Sequence, residues 1–320
     1  AIGLEMARDP TILCIGEDIG RAGGVFGATA GLQQRFGPDR VVDTPIAEMA
    51  FAGMAVGLAQ AGMRPLVEIM FADFIGVCLE QVFNAAAKIP TMSGGRVRMP
   101  VVYKTAGGCI GSAAQHSQCL WGLFAHLPGL KVVAPCNPHD HKGLMAAALR
   151  SDDPVVYIEH KALLLMKGRD FRHHPAVPDG AFTVPIGRAA VVRPGSDVTL
   201  ATLSLSVEHA LEAAGTLAAE GISVEVVDLR SVVPLDADTV AGSAARTGRL
   251  LVVDEDYLSF GLSAELTLRV IERLGLSGLR QVERLALPDV PIPAARTLEE
   301  AVMPGPAAIM ARLRQMAKGR

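Results

Sequence analysis

Glu48 and His116 are the side chains whose surroundings in this 320-residue sequence best suit proton chemistry. Glu48 lies in VVDTPIAEMAFAGMAVGLAQAG at 41–62. There Val41 and Val42 read as a strand end, Thr44 as an N-cap and Pro45 as the first helical residue. That places the carboxylate in a first helical turn, beside a sheet edge. As an ordinary first-turn acid it complements the helix dipole. Its flanks are Ala47, Met49, Ala50 and Phe51, so the other reading is an acid in an apolar setting, with a raised pKa and a proton to donate. His116 falls in the glycine-rich, polar stretch TAGGCIGSAAQHSQ after an expected strand at 101–104. Imidazole titrates near neutrality, so a loop at a strand's carboxyl end suits it to acid or base work; a surface or capping histidine is the plainer alternative.

Other residues join them at the same kind of position. The apolar run 11–15 ends in Gly16, Glu17 and Asp18, a strand delivering two acids to its carboxyl end, where parallel sheets keep their ligands. Met70 and Phe74 follow the run 66–70, with Asp73 as expected cap of a helix reaching Lys88; they either wall a pocket or belong to the core. Cys109 and Cys119 flank His116, but their spacing argues for small apolar fillers rather than a nucleophile. Cys136, His139, Asp140 and His141 resemble metal ligands by type. The last three are consecutive on a helix and point apart, so no metal is assigned.

The elements that must position these groups alternate between strand and helix. The helix after Glu48 is built of small residues (Ala50, Ala52, Gly53, Ala55, Gly57, Ala59, Ala61) and is expected to be buried all round. Strands at 131–134 and 155–158 enclose a helix opening at Asn137-Pro138 and running to about Arg150. Residues 168–185 are proline- and glycine-rich without apolar period and read as a linker. The rhythm then resumes: strands at 198–203, 223–229 and 250–254, helices over 206–220 and 236–245. This is an α/β chain of two domains, 1–180 and 186–320.

Composition narrows the class. Hydrophobic residues reach 50% and charged ones 20%, which suits parallel strands buried on both faces and a large subunit interface. A net charge of −3 gives no electrostatic case for nucleic acid, and the basic end Arg312, Arg314, Lys318 and Arg320 reads as a helix terminus. The longest uncharged helical stretch, Met49 to Ala59, is far below the roughly 20 residues of a membrane span. Five irregularly spaced cysteines suit a reducing compartment, and the cytoplasm is expected. GxSxG, HExxH, paired CxxC and Walker sequences are all missing, which removes the commonest hydrolase and NTPase readings.

The ordered segments IGEDIG (15–20), DTPIAEMAFAGMAVGLAQAGMRP (43–65), AAQHSQ (113–118), PGLKVVAP (128–135) and VVDLRSVVPLD (226–236) resemble the beta subunits of thiamine-diphosphate-dependent 2-oxoacid and acetoin dehydrogenases. The resemblance implies a parallel-sheet, pyrimidine-type thiamine-diphosphate-binding domain followed by a transketolase C-terminal-like domain. It also implies active sites shared with an alpha subunit in a heterotetramer of two alpha and two beta chains. By motif, Glu48 matches the glutamate that bonds a ring nitrogen of the aminopyrimidine and promotes ylide formation. Glu17 matches an acid near the same ring, Met70 and Phe74 residues packed on it, and His116 the histidine facing substrate and lipoyl arm.

The GDG…Asn signature for magnesium and diphosphate is absent from the sequence, so those ligands are expected on the alpha subunit and the chain alone is expected to be inactive. A family potassium site is left open, because Ser151 stands where an acid often helps. The segments IMFADFIGVCLEQ (69–81) and LWGLF (120–124) are most similar to acetoin dehydrogenases. There acetoin is cleaved and the hydroxyethyl unit passes to lipoamide of an acyltransferase core. Pyruvate or branched-chain 2-oxoacid dehydrogenase is the alternative, and an electron-transfer flavoprotein-like binding subunit the rival from another class.

Overall fold

The computed structural model describes residues 1–318, so Arg320 of the basic end lies outside the described residues. A seven-stranded sheet contains β1 (Ile12–Gly16), β2 (Val41–Asp43), β3 (Arg64–Ile69), β4 (Val102–Gly107), β5 (Lys131–Val133), β6 (Val155–His160) and β10 (Ser231–Val233), in the order β10-β5-β6-β4-β3-β1-β2. A five-stranded sheet contains β7 (Ala190–Arg193), β8 (Val198–Thr202), β9 (Val224–Asp228), β11 (Arg249–Tyr257) and β12 (Gln281–Leu287), in the order β12-β11-β8-β9-β7. Only β10 and β7 run antiparallel to their neighbours. The linker at 168–185 has no regular element beyond a 3-10 turn at Gly168–Asp170.

Continuous apolar runs make the inner strands, as parallel strands covered on both faces require. Every residue of β1, β4 and β6 is buried. The exception to apolarity is a charged row through the middle of the sheet. Lys104 on β4 lies 3.1 Å from Glu68 on β3 and 2.9 Å from Glu159 on β6, and His141 reaches Glu159 at 3.0 Å. Burial would lower the Lys104 pKa, but the two carboxylates outweigh it and push it up.

The parallel register brings the functional ends together. Gly16 pairs with Glu68 and with Asp43, Ile69 with Thr105, and Gly107 with His160. Glu17, Met70, the loop at 108–120 and Lys161 therefore leave the sheet at one edge.

Three local expectations fail. The helix after β2 spans Glu48–Gln60 and has Ala47 as its N-cap, not Thr44. The Thr44 N–H is bonded to Gly16 O at the end of β1, so the chain crosses the sheet mouth before it can turn, and Pro45 precedes the helix. That helix is not buried all round: Phe51, Ala52, Ala55, Val56 and Ala59 are buried, whereas Met49 and Met54 are 58% and 44% exposed. Asp73 does not cap one helix to Lys88. The segment breaks into a 3-10 helix (Ala72–Cys78), a π-helical turn (Gln81–Ala86) and a short α-helix (Ile89–Met92), because the Asp73 carboxylate bonds Gln118 instead of a helical N–H. By contrast, Asn137 caps Pro138–Leu149 as its sequence predicts, accepting from the Asp140 N–H.

At the basic end, Arg312 pairs with Glu283 and Arg314 with Glu220 on the helix Pro306–Lys318. No helix of the described residues is long and apolar enough to cross a membrane.

Candidate active site

Two acids meet at the mouth of the first sheet. Glu17 follows β1 and Glu48 opens the helix after β2; both are half-buried, so Glu48 is less enclosed than its apolar flanks suggest, because Ile46 and Met49 turn outward. Burial raises the Glu17 pKa, and the nearby Glu48 and Asp18 charges raise it further. Glu17 Oε1 is shut off from solvent and has no hydrogen-bond partner among the described residues. Cys78, also beside Glu48, has its thiol pushed up to about 12 by burial and then by that carboxylate.

An aromatic cluster gathers around His116. The Phe74 ring lies 5.5 Å from the His116 imidazole and Phe71 lies 5.1 Å from it, both edge-on; Phe71 also meets Phe74 at 5.3 Å and Phe26 at 6.4 Å. Met70 sits half-buried just after β3. The structure thus brings Phe74 to His116 and sets Glu17 against Glu48, with Met70 just after the end of β3.

His116 occupies a loop with no regular structure, yet its position is fixed from several sides. Its Nδ1 is 3.1 Å from Ser112 O, and since a carbonyl only accepts, Nδ1 carries the hydrogen, so that in the neutral ring Nε2 presents the lone pair. Lys161, fully buried just after β6, donates to His116 O and lies 5.3 Å from the Phe71 ring centre. Both carboxylate oxygens of Glu299 accept from Gly111 N, at 3.0 and 3.1 Å. Gln118 donates to Asp73 Oδ1 at 2.6 Å and accepts from the Tyr257 hydroxyl at 3.2 Å. At the loop's root, Gly108 has φ +89° and a Cβ there would stand 2.0 Å from His160 Nε2, so only glycine fits.

Sequence reasoning missed Phe71, Lys161, Gln118, Tyr257 and Glu299. The signal for Lys161 was a run of ionisable residues, Glu159-His160-Lys161, following the apolar 155–158; Tyr257 and Glu299 come from the second sheet's side and gave none.

That side also grips the loop's continuation. Asp254 accepts from Trp121 Nε1, Asp256 from Gly122 N and Glu255 from His160 Nε2, each at 2.8 Å.

Two buried groups have metal-ligand composition, Cys119 with His160 and Glu255, and Cys136 with Asp140 and Asp228. In the first, His160 Nδ1 accepts from Ala162 N, so Nε2 carries the hydrogen that goes to Glu255. In the second, Arg230 holds Asp140 through both its oxygens, and the Cys136 thiol, pushed well up by burial, donates to Asp228. Both sets are satisfied by protons and arginine. The thiols flanking His116 are likewise raised by burial, Cys109 to about 12.

Residues 1–166 match the family model of the transketolase pyrimidine-binding domain and residues 187–309 that of the transketolase C-terminal domain. The chain is 46% identical to the acetoin:2,6-dichlorophenolindophenol oxidoreductase subunit beta of Cupriavidus necator, over 100% of this chain and 95% of that protein. It is 43% identical to the 2-oxoisovalerate dehydrogenase subunit beta of Bacillus subtilis, over 98% of this chain and 95% of that one. To the mitochondrial pyruvate dehydrogenase E1 component subunit beta-2 of Oryza sativa subsp. japonica it is 41% identical, over 95% and 80%. A solved split-gene transketolase, an inactive beta4 tetramer, superposes with a TM-score of 0.77 at 23% identity, covering 99% of this chain and 95% of that one, a likeness of fold. With both domain models in order and relatives of this identity along its length, the chain belongs to the beta subunits of the thiamine-diphosphate-dependent acetoin and 2-oxoacid dehydrogenases.

Proposed function

We propose that this chain is the beta subunit of an acetoin-cleaving dehydrogenase, working with an alpha subunit and delivering the two-carbon unit to lipoamide on an acyltransferase core. Its 46% identity to an acetoin oxidoreductase subunit supports the substrate. A pyruvate or branched-chain 2-oxoacid dehydrogenase beta subunit is the alternative, supported by relatives at 41% and 43%. The flavoprotein-like reading has no comparable support.

The observation that carries the proposal is the mouth formed by Glu17 and Glu48, with a carboxylate oxygen that is buried and unpartnered. Such an atom suits an aminopyrimidine, which offers an amino donor beside ring nitrogens. When bound, thiamine diphosphate supplies a carbon nucleophile and an electron sink. Glu17 Oε1 would accept from the amino group, and Glu48 would bond a ring nitrogen. Phe74 and Met70 would wall the ring and keep water out. His116, its Nδ1–H committed to Ser112, takes the substrate hydroxyl proton on Nε2.

Magnesium and the diphosphate are assigned to the alpha subunit, because this sequence carries no GDG…Asn. An assembly of two alpha and two beta chains in the cytoplasm is part of the proposal, as is a division into domains 1–180 and 186–320. No potassium ion is included. In the turn at 151–153, Arg64 bonds Ser151 O at 2.5 Å and Asp152 at 3.1 Å, while Lys131 pairs with Asp153 at 3.0 Å.

The test is reconstitution. Purified chain alone should show no thiamine-diphosphate-dependent turnover, and acetoin cleavage should appear on adding an alpha subunit that carries GDG…Asn. Robust turnover by the beta chain alone, free of contaminating partner, would refute the split site.

A further inference from the structure

Gly107 ends β4, and its register partner on β6 is His160, so Gly108 and Lys161 are the first residues to leave the sheet on two adjacent strands. Both departures are keyed to one imidazole. His160 Nε2 is bound to Glu255 at 2.8 Å and its Nδ1 accepts from Ala162 N at 3.2 Å, which gives the ring a fixed place. Gly108 lies directly against that ring, since a Cβ there would stand 2.0 Å from Nε2. The root of the His116 loop and the start of Lys161 are therefore set by the same contact.

Lys161 turns into the arc of that loop. Its side chain has 0% exposure, and its ammonium donates to the carbonyl oxygen of His116 itself. The same ammonium stands 5.3 Å from the centre of the Phe71 ring, and Phe71 meets the His116 imidazole edge-on at 5.1 Å. Burying an ammonium is costly, and the carbonyl and the aromatic face offset part of that cost here.

His116 is thus held at two levels. The bond from its Nδ1–H to Ser112 O lies within the loop, so it sets the ring against the loop and nothing more. Glu299 and Gln118 anchor the loop at Gly111 and Gln118, on either side of the histidine. Lys161 alone among these ties the main chain of His116 to the end of a sheet strand, and it leaves Nε2 unengaged.

We propose that Lys161 is a positioning residue: it fixes where His116 Nε2 stands at the sheet mouth, and it acts on catalysis only through that histidine. This rests on the reading of His116 as the base that takes the substrate proton. Sealed from solvent, Lys161 touches no substrate of its own. A reacting group displaced by about 1 Å costs about 10²-fold in rate, and the loss falls mainly on kcat because the misplacement is felt in the transition state.

The experiment is a double-mutant cycle in the reconstituted alpha–beta complex with acetoin. Lys161→Met keeps the length of the side chain and removes donor and charge; it should lower kcat by about 10–10²-fold, with KM and thiazolium hydrogen–deuterium exchange within about threefold of wild type. In a His116→Ala background the same substitution should change turnover by less than about threefold, because no base is left to position. A lysine that served only the fold would slow both backgrounds by the same factor. If Lys161→Met does not assemble, Lys161→Gln carries the same cycle.

A kcat within about threefold of wild type in the lysine variant, or an equal loss in both backgrounds, overturns this inference and leaves the reading of His116 standing. Wild-type turnover in His116→Ala overturns both.

Discussion

His116 Nδ1 faces the carbonyl oxygen of Ser112 at 3.1 Å, four residues back along its own loop. That bond commits one ring nitrogen as a donor, so the other is a base of fixed direction. A histidine so held is equipped to take a proton from substrate and return it later.

Replacing His116 by Ala in the assembled complex should therefore leave cofactor affinity and thiazolium hydrogen–deuterium exchange nearly intact while turnover falls by about 10²–10⁴-fold. Normal turnover would make His116 a structural loop residue. Lost cofactor binding would place it against the coenzyme instead.

Glu48→Gln should preserve fold and assembly but slow exchange at the thiazolium carbon by about 10²–10⁴-fold, because an amide cannot hold the same proton at a ring nitrogen. An unchanged exchange rate would return Glu48 to complementing its helix dipole.

The Glu299 carboxylate grips Gly111 N with both oxygens from outside the first sheet. Glu299→Ala removes a charge-assisted bond of about 1.5–3 kcal/mol, so the Gly111 amide should exchange with solvent faster and turnover should drop about tenfold, with melting temperature little changed. Exchange at Gly111 equal to wild type would show that the loop is ordered without this clasp.

The charged row inside the first sheet sets a pH limit. Burial alone would raise the Glu159 pKa, but the Lys104 ammonium and His141 outweigh it and hold the carboxyl at about 2 instead of the usual 4.5. A depressed carboxyl contributes stability above its unfolded pKa, and that contribution is lost as pH falls from about 4.5 to about 2. Acid unfolding followed by Trp121 fluorescence should steepen across this window. Lys104→Met leaves Glu68 and Glu159 buried without their cation and should cost about 3–5 kcal/mol at neutral pH. A variant as stable as wild type at pH 7 would contradict this account.

The sequence made legible what is local or periodic. Buried runs gave β1, β3, β4 and β6, and with them the common edge where Glu17, Met70 and His116 emerge. Asn137-Pro138 announced its helix start because cap and first turn are neighbours in the chain. Thr44 misled because the bond from its N–H to Gly16 O is tertiary, and Asp73 because Gln118, 45 residues away, claims its carboxylate. Lys161 and Glu299 were invisible for the same reason: their partners are set by the folded edge of the sheet. Small residues after Glu48 suggested complete enclosure, but Met49 and Met54 lie on a face that this chain alone leaves open.

The antiparallel pairing of β10 with β5 has a consequence for anyone who would divide this protein. Ser231 and Val233 seal the outer edge of the first sheet although they lie beyond the linker. A recombinant fragment ending near residue 180 would carry β5 with its hydrogen-bonding groups bare, an invitation to stick to other fragments in the test tube. Supplying the missing half in trans, or a short peptide covering 231–233, is the remedy that the pairing suggests.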